Sequence, residues 1–140
     1  MTFTNTAIQT LTQDDDWCNA FAFSAAISRS PLDAATSLDA FGLDDVSEVL
    51  AKIEGENDGP SWVCLGRLKD GRWFCLSACC DHTGWECQAS GGAMVASTLT
   101  DLLKFCVTDD EAKRMEIENE RSQACGDEPI FLDRSPKIGK

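Results

Sequence analysis

The segment WVCLGRLKDGRWFCLSA, residues 62–78, constrains the fold more than any other stretch of the chain. Two β-rich apolar runs flank Asp70-Gly71, a dipeptide suited to the two-residue type I′ turn whose twist matches paired strands. With Lys69 set opposite Arg72, Leu68 faces Trp73, Gly66 faces Cys75, Cys64 faces Ser77 and Trp62 faces Cys79. On the other face Phe74, Leu76 and Ala78 meet Arg67, Leu65 and Val63. Both faces are largely apolar, so this hairpin needs cover on both sides.

The flanking sequence can supply that cover. Asp14-Asp15-Asp16 ahead of WCNAFAFSAAIS reads as an acidic helix start, which Ser30-Pro31 ends. Leu43, Val46, Val49, Leu50 and Ile53 recur at helical spacing after Gly42, predicting an amphipathic helix over 44–54. EGENDGP, residues 54–60, has loop composition. WECQAS reads as a third strand, followed by Gly91-Gly92 and the short run AMVAS. Thr98 starts a helix through TLTDLLKFCV. Thr108 with Glu111 has the capping-box spacing, and the helix it opens, to about Arg121, is mostly charged and expected on the surface.

The tail has loop composition, although Ile130-Phe131-Leu132 could dock on the core. The expected class is α+β: a small antiparallel sheet, made of the hairpin 62–68/72–78 and one or two short strands, with helices packed around it. All 140 residues fit one domain, with 1–30 an N-terminal helical segment and 122–140 a loop-like tail.

Charge narrows the function classes. There are 24 acidic and 12 basic residues, a formal net charge of −12. Residues 1–60 carry −9, with Arg29 and Lys52 their only bases. Such a chain repels a phosphate backbone but can bind the basic surface of a nucleic-acid-binding protein. No apolar run is long enough to span a membrane. The N-terminal residues lack a signal peptide's pattern, so the expectation is a cytoplasmic protein whose eight cysteines stay reduced.

SACCDHTGWECQAS, residues 77–90, is the densest chemical cluster and holds the chain's one histidine. Cys64, Cys75, Cys79, Cys80, His82 and Cys87 are all possible zinc ligands. On an extended strand, however, Cys75 and Cys79 stand about 13 Å apart. Thiolates on one zinc lie within about 4 Å of each other. Disulfides within the hairpin are equally strained, because this register makes Cys64 diagonal to Cys75 and Cys79, while Cys80 with Cys87 would need oxidising surroundings. A Cys80 nucleophile would rely on adjacent His82, with Asp81 and Glu86 opposing its thiolate. The remaining reading is a turn, capped by Asp81 and Thr83 and opened by Gly84, with Trp85 over the sheet and Cys80 and Cys87 as small apolar groups.

The ordered string EGENDG, KDG, LSA, CD-TGW and CQA resembles a family of small proteins frequent among bacteriophages and in bacterial genomes. The resemblance spans about Leu43 to Arg114. It is carried by Glu54, Gly55, Glu56, Asn57, Asp58 and Gly59, and by Ser77, Ala78, Cys80, Asp81, Thr83, Gly84, Trp85, Cys87 and Gln88. Cys79 stands where the family has glycine and His82 where it has an aromatic, which weakens a metal site built on them. The resemblance implies a phage or mobile-element accessory protein and no particular activity.

Charge, the missing catalytic constellation and the resemblance converge on one expectation. The chain is a non-enzymatic acidic binding protein, a phage-type inhibitor of a host defence effector such as a CRISPR-type one. It needs no cofactor, binds no nucleic acid directly and occupies a basic nucleic-acid-binding surface on the host protein. The expected contacts are Asp14, Asp15, Asp16, Asp44, Asp45, Glu54, Glu56 and Asp58, with Trp62 or Trp85 as an aromatic anchor. The alternative is a small zinc-binding module using the cysteine cluster at 64–87.

Overall fold

The computed structural model describes residues 15–22, 26–29, 35–56, 58–81 and 84–125. In chain order the elements are α1 (Asp15–Ala22), β1 (Ala26–Arg29), a 3₁₀ turn (Leu43–Asp45), β2 (Val46–Ile53), β3 (Trp62–Leu68), β4 (Trp73–Asp81) and β5 (Gly84–Ala96). The short helix α2 (Leu99–Asp101) then runs into a π-helical turn (Leu102–Cys106), followed by α3 (Asp109–Arg114) and α4 (Glu118–Cys125). The sheet order is β1-β5-β4-β3-β2, with β1 parallel to β5 and the other pairs antiparallel. This is an α+β fold whose sheet is mixed and larger than the small antiparallel one expected.

The hairpin forms, but its register is one residue away from the predicted one. Arg67 pairs with Trp73, Gly66 with Phe74, Leu65 with Cys75, Cys64 with Leu76, Val63 with Ser77 and Trp62 with Ala78. The turn explains the slip. A type I′ turn needs positive φ at both central residues, and here only Gly71 has it, at 98°. Asp70 keeps its ordinary backbone and accepts hydrogen bonds from the Arg72 backbone N–H (3.0 Å) and Nε (2.9 Å). Gly71 N–H donates to the Leu68 carbonyl at 3.0 Å and Leu68 N–H to that of Arg72 at 2.7 Å. The loop is therefore three residues, 69–71, the turn-plus-bulge form with glycine in the left-handed position.

That single slip decides which side chains share a face. Phe74, Leu76 and Ala78 join Trp62, Cys64 and Leu68 in one core, together with Trp17, Ala20 and Phe21 of α1. Val63, Leu65 and Cys75 join Met94 and the helical layer of Leu102, Leu103, Cys106, Ala112 and Ile117 on the other. Phe74 meets Phe21 edge-on, with ring centroids 5.9 Å apart, an arrangement that aromatic quadrupoles favour, and Phe41 at a tilt, 5.3 Å away. Gly66, directly opposite Phe74, makes room for it. A Cβ there would lie 2.4 Å from the Glu48 carbonyl oxygen and 2.9 Å from the Phe74 ring.

Two predicted helices are corrected. The helix expected to continue to Ser30 is described over Asp15–Ala22, and residues 26–29 are not helix but β1, paired alongside Gly92–Val95 of β5. An unpaired edge on β5 outweighs local helix propensity. The helix predicted over 44–54 is a 3₁₀ turn followed by β2. Its misleading period has a physical origin. Register shifts after Val46 and after Val49 interrupt the two-residue alternation, as a bulge does. Val46 and Val49 thus face the α1 side, whereas Leu50 and Ala51 face the helical layer. The third strand, expected as WECQAS, runs unbroken through Gly91-Gly92 to Ala96.

Both threonine caps form as the sequence predicts. Thr98 Oγ1 accepts the Asp101 N–H at 3.1 Å. Thr108 Oγ1 accepts from Glu111 N–H at 3.1 Å while Glu111 Oε1 accepts from Thr108 N–H at 3.0 Å. The following helix is not the continuous surface helix expected. It breaks at Glu116, which takes φ +60°, and Glu111, Ala112, Met115, Ile117 and Arg121 are buried. The Arg121 guanidinium donates from Nε to the Leu103 carbonyl at 3.2 Å and pairs with Asp109. It thereby satisfies a carbonyl of the π-helical turn, whose ends leave unpaired acceptors.

The glycine at 66 gives a direct check on the register. Gly66→Ala is expected to destabilise the protein by about 1–3 kcal/mol through overpacking against the Glu48 carbonyl and the Phe74 ring. Gly42→Ala, where an added Cβ meets nothing within 4 Å, should stay within about 0.5 kcal/mol. Urea unfolding of the two variants measures the difference; equal stabilities would contradict the close approach of the Glu48 backbone and the Phe74 ring to residue 66.

Candidate functional site

Five of the predicted acidic contacts fall into two groups at opposite ends of β2. Asp44 and Asp45 lie in the 3₁₀ turn before it and are exposed; Glu54, Glu56 and Asp58 follow it and are exposed. A strand of this length, shortened by its bulges, separates them by about 20 Å. At the first end Asp45 Oδ2 accepts the Gly42 N–H at 2.8 Å, and its backbone carbonyl accepts the Lys69 N–H at 2.8 Å. The hairpin turn is thus fastened beside the 3₁₀ turn. Arg72 Nη1 reaches back to the carbonyls of Ser37 (3.0 Å) and Asp39 (2.8 Å), with the guanidinium 5.6 Å over Phe41. Asp39 and Asp70, both exposed, therefore join Asp44 and Asp45. The sequence did not mark these two as contact residues, because only the fold brings positions 39, 45 and 70 together.

The second group is built on a stiffened loop. Glu56 N–H donates to the Pro60 carbonyl (2.9 Å), Gly59 N–H to that of Glu56 (3.0 Å), and Asp58 N–H to that of Cys80 (2.8 Å). Asp58 takes φ +62° to do so. Gly55 is compelled by close approach, since a Cβ there would sit 2.4 Å from the Pro60 carbonyl oxygen. Glu54 is engaged internally. Its Oε2 accepts the Trp17 indole N–H at 2.8 Å and pairs with Lys52, whose Nζ lies 5.6 Å over the Trp17 ring. Partial burial raises its pKa, but the hydrogen bonds from Lys52 and Trp17 and the Lys52 charge together hold the carboxyl below its ordinary value. Glu54 thus ties α1 to the end of β2. Among the described residues no ion pair reaches Glu56 or Asp58.

The other predicted contacts divide as follows. Asp16 is exposed near the start of α1, beside Trp17, and Asp15 opens that helix. Asp14 lies outside the described residues, as does the side chain of Trp85. Trp62 is 4% exposed, inside the core beside Trp17 and Cys64. It cannot serve as the surface anchor expected of it. Cover on both faces of the hairpin, as its apolar pattern requires, already takes Trp62 inside.

The register also sorts the thiols. Cys64 and Cys80 belong to the α1-side core. Cys75 belongs to the other, and strand alternation puts Cys79 on that same face. Cys64 is not diagonal to Cys75, as the predicted register had it; the sheet separates them. Burial pushes the Cys64 thiol far above its ordinary pKa, opposed by the Lys52 charge and assisted by that of Glu54, so it stays protonated and unreactive. Cys79 is half-buried, its Sγ 3.3 Å from Ser90 Oγ. Among the described residues no three His, Cys, Asp or Glu side chains converge as metal ligands do. The side chains of His82 and Cys87 lie outside those described.

Beyond Cys75 and Met94 the sheet carries small side chains. A cavity of about 370 Å³ opens there, lined by Ser28, Ser61, Ser77, Cys79, Ser90 and the Gly91-Gly92 backbone among others. Ser61 also accepts a hydrogen bond at its carbonyl from Arg114 Nη2 (2.8 Å). No helix among the described residues is long and apolar enough to cross a membrane. No protein family, curated protein or solved structure matches the chain.

Two outcomes follow from these environments. Glu54 has a depressed folded pKa, so its contribution to stability is present above the ordinary carboxylate range and is lost as pH falls through that folded value. Glu54→Gln should be less stable than wild type at pH 7, by up to about 1 kcal/mol for a half-exposed pair. The gap should close in acid; a gap independent of pH would remove the ionised latch. Under native alkylation followed by mass spectrometry, exposed Cys18 and half-buried Cys79 should label first, and Cys64, Cys75 and Cys106, all buried, only on unfolding. Early labelling of Cys64 would contradict its burial.

Proposed function

We propose that the protein is a non-enzymatic acidic binder that occupies a basic, nucleic-acid-binding surface on a host defence effector, in the cytoplasm of the host cell. The observation that carries this reading is the exposure of Asp44, Asp45, Glu56 and Asp58 at the two ends of one strand, on a chain of net charge −12. Carboxylates displayed on rigid turns, at fixed separation, meet a cationic surface with little ordering cost. The same field repels nucleic acid itself. Asp16 is exposed on α1, next in sequence to Trp17, which bonds Glu54. Glu54, whose charge Lys52 already offsets, supports the loop rather than supplying the contact. Resemblance of the 54–59 and 77–88 motifs to small phage and bacterial proteins is consistent with an accessory protein of a phage or mobile element.

The test is capture from host lysate on the immobilised protein at about 50 mM and about 500 mM salt, with Asp44→Asn/Asp45→Asn and Glu56→Gln/Asp58→Asn beside wild type. A Debye length that shrinks severalfold across that range screens exposed charges. The expected result is a basic partner held at low salt and lost at high salt, with about tenfold weaker capture by each double variant. Capture that ignores ionic strength, or survives both variants unchanged, overturns the proposal.

A further inference from the structure

We draw no further inference here: the strongest candidate, the trough over β4 and β5 between Ser61, Ser77, Cys79, Ser90 and Gly92, is a stripe of small side chains beside one half-buried thiol, and nothing in the structure shows what covers it.

Discussion

Strand β4 is apolar on both faces, and the rest of the molecule is arranged to cover it. Phe74, Leu76, Ala78 and Cys80 point one way, Cys75 the other. A strand of this kind cannot remain at the surface, since each large apolar side chain left in water forgoes about 1.5–3 kcal/mol. It must lie inside a sheet with a layer on either side. Helix α1 and the Phe41 segment make one layer; the π-helical turn with α3 and α4 makes the other. The acidic turns project from the ends of β2, outside both layers.

Two buried arginines fasten segments distant in sequence to one another. Arg72, 8% exposed, joins the hairpin turn to residues 37–41 through two backbone carbonyls and Asp70. Arg121, 3% exposed, joins α4 to the π-helical turn through the Leu103 carbonyl and to α3 through Asp109. Each is a guanidinium whose planar fork spreads several donors over separate acceptors, a role lysine's point charge cannot copy. Both work as tethers of irregular backbone rather than as surface charges. In a chain so rich in carboxylate, two of its few cations are therefore spent inside.

What could be read from the sequence was what local chemistry decides. The two apolar runs at 62–68 and 73–78, the glycine at 71 and the threonine caps at 98 and 108 each act within a few residues, and each was legible. The register was not, because it turned on whether Asp70 would accept positive φ or bind Arg72 instead. β2 was misread because two bulges turned a strand's alternation into something close to helical spacing. β1 was hidden by its partner, a strand more than sixty residues away in parallel pairing. For the candidate site, the exposure of the acids followed from their chemistry, whereas their division into two groups depended on the sheet.

The account rests on a sheet covered on both faces in one particular alignment of β3 with β4. Cross-strand backbone NOEs in the isotopically labelled protein report that alignment directly. The account requires Leu65 close to Cys75 and Val63 close to Ser77. NOEs that instead join Gly66 to Cys75 and Cys64 to Ser77 would move every side chain of β3 to the opposite layer and contradict it.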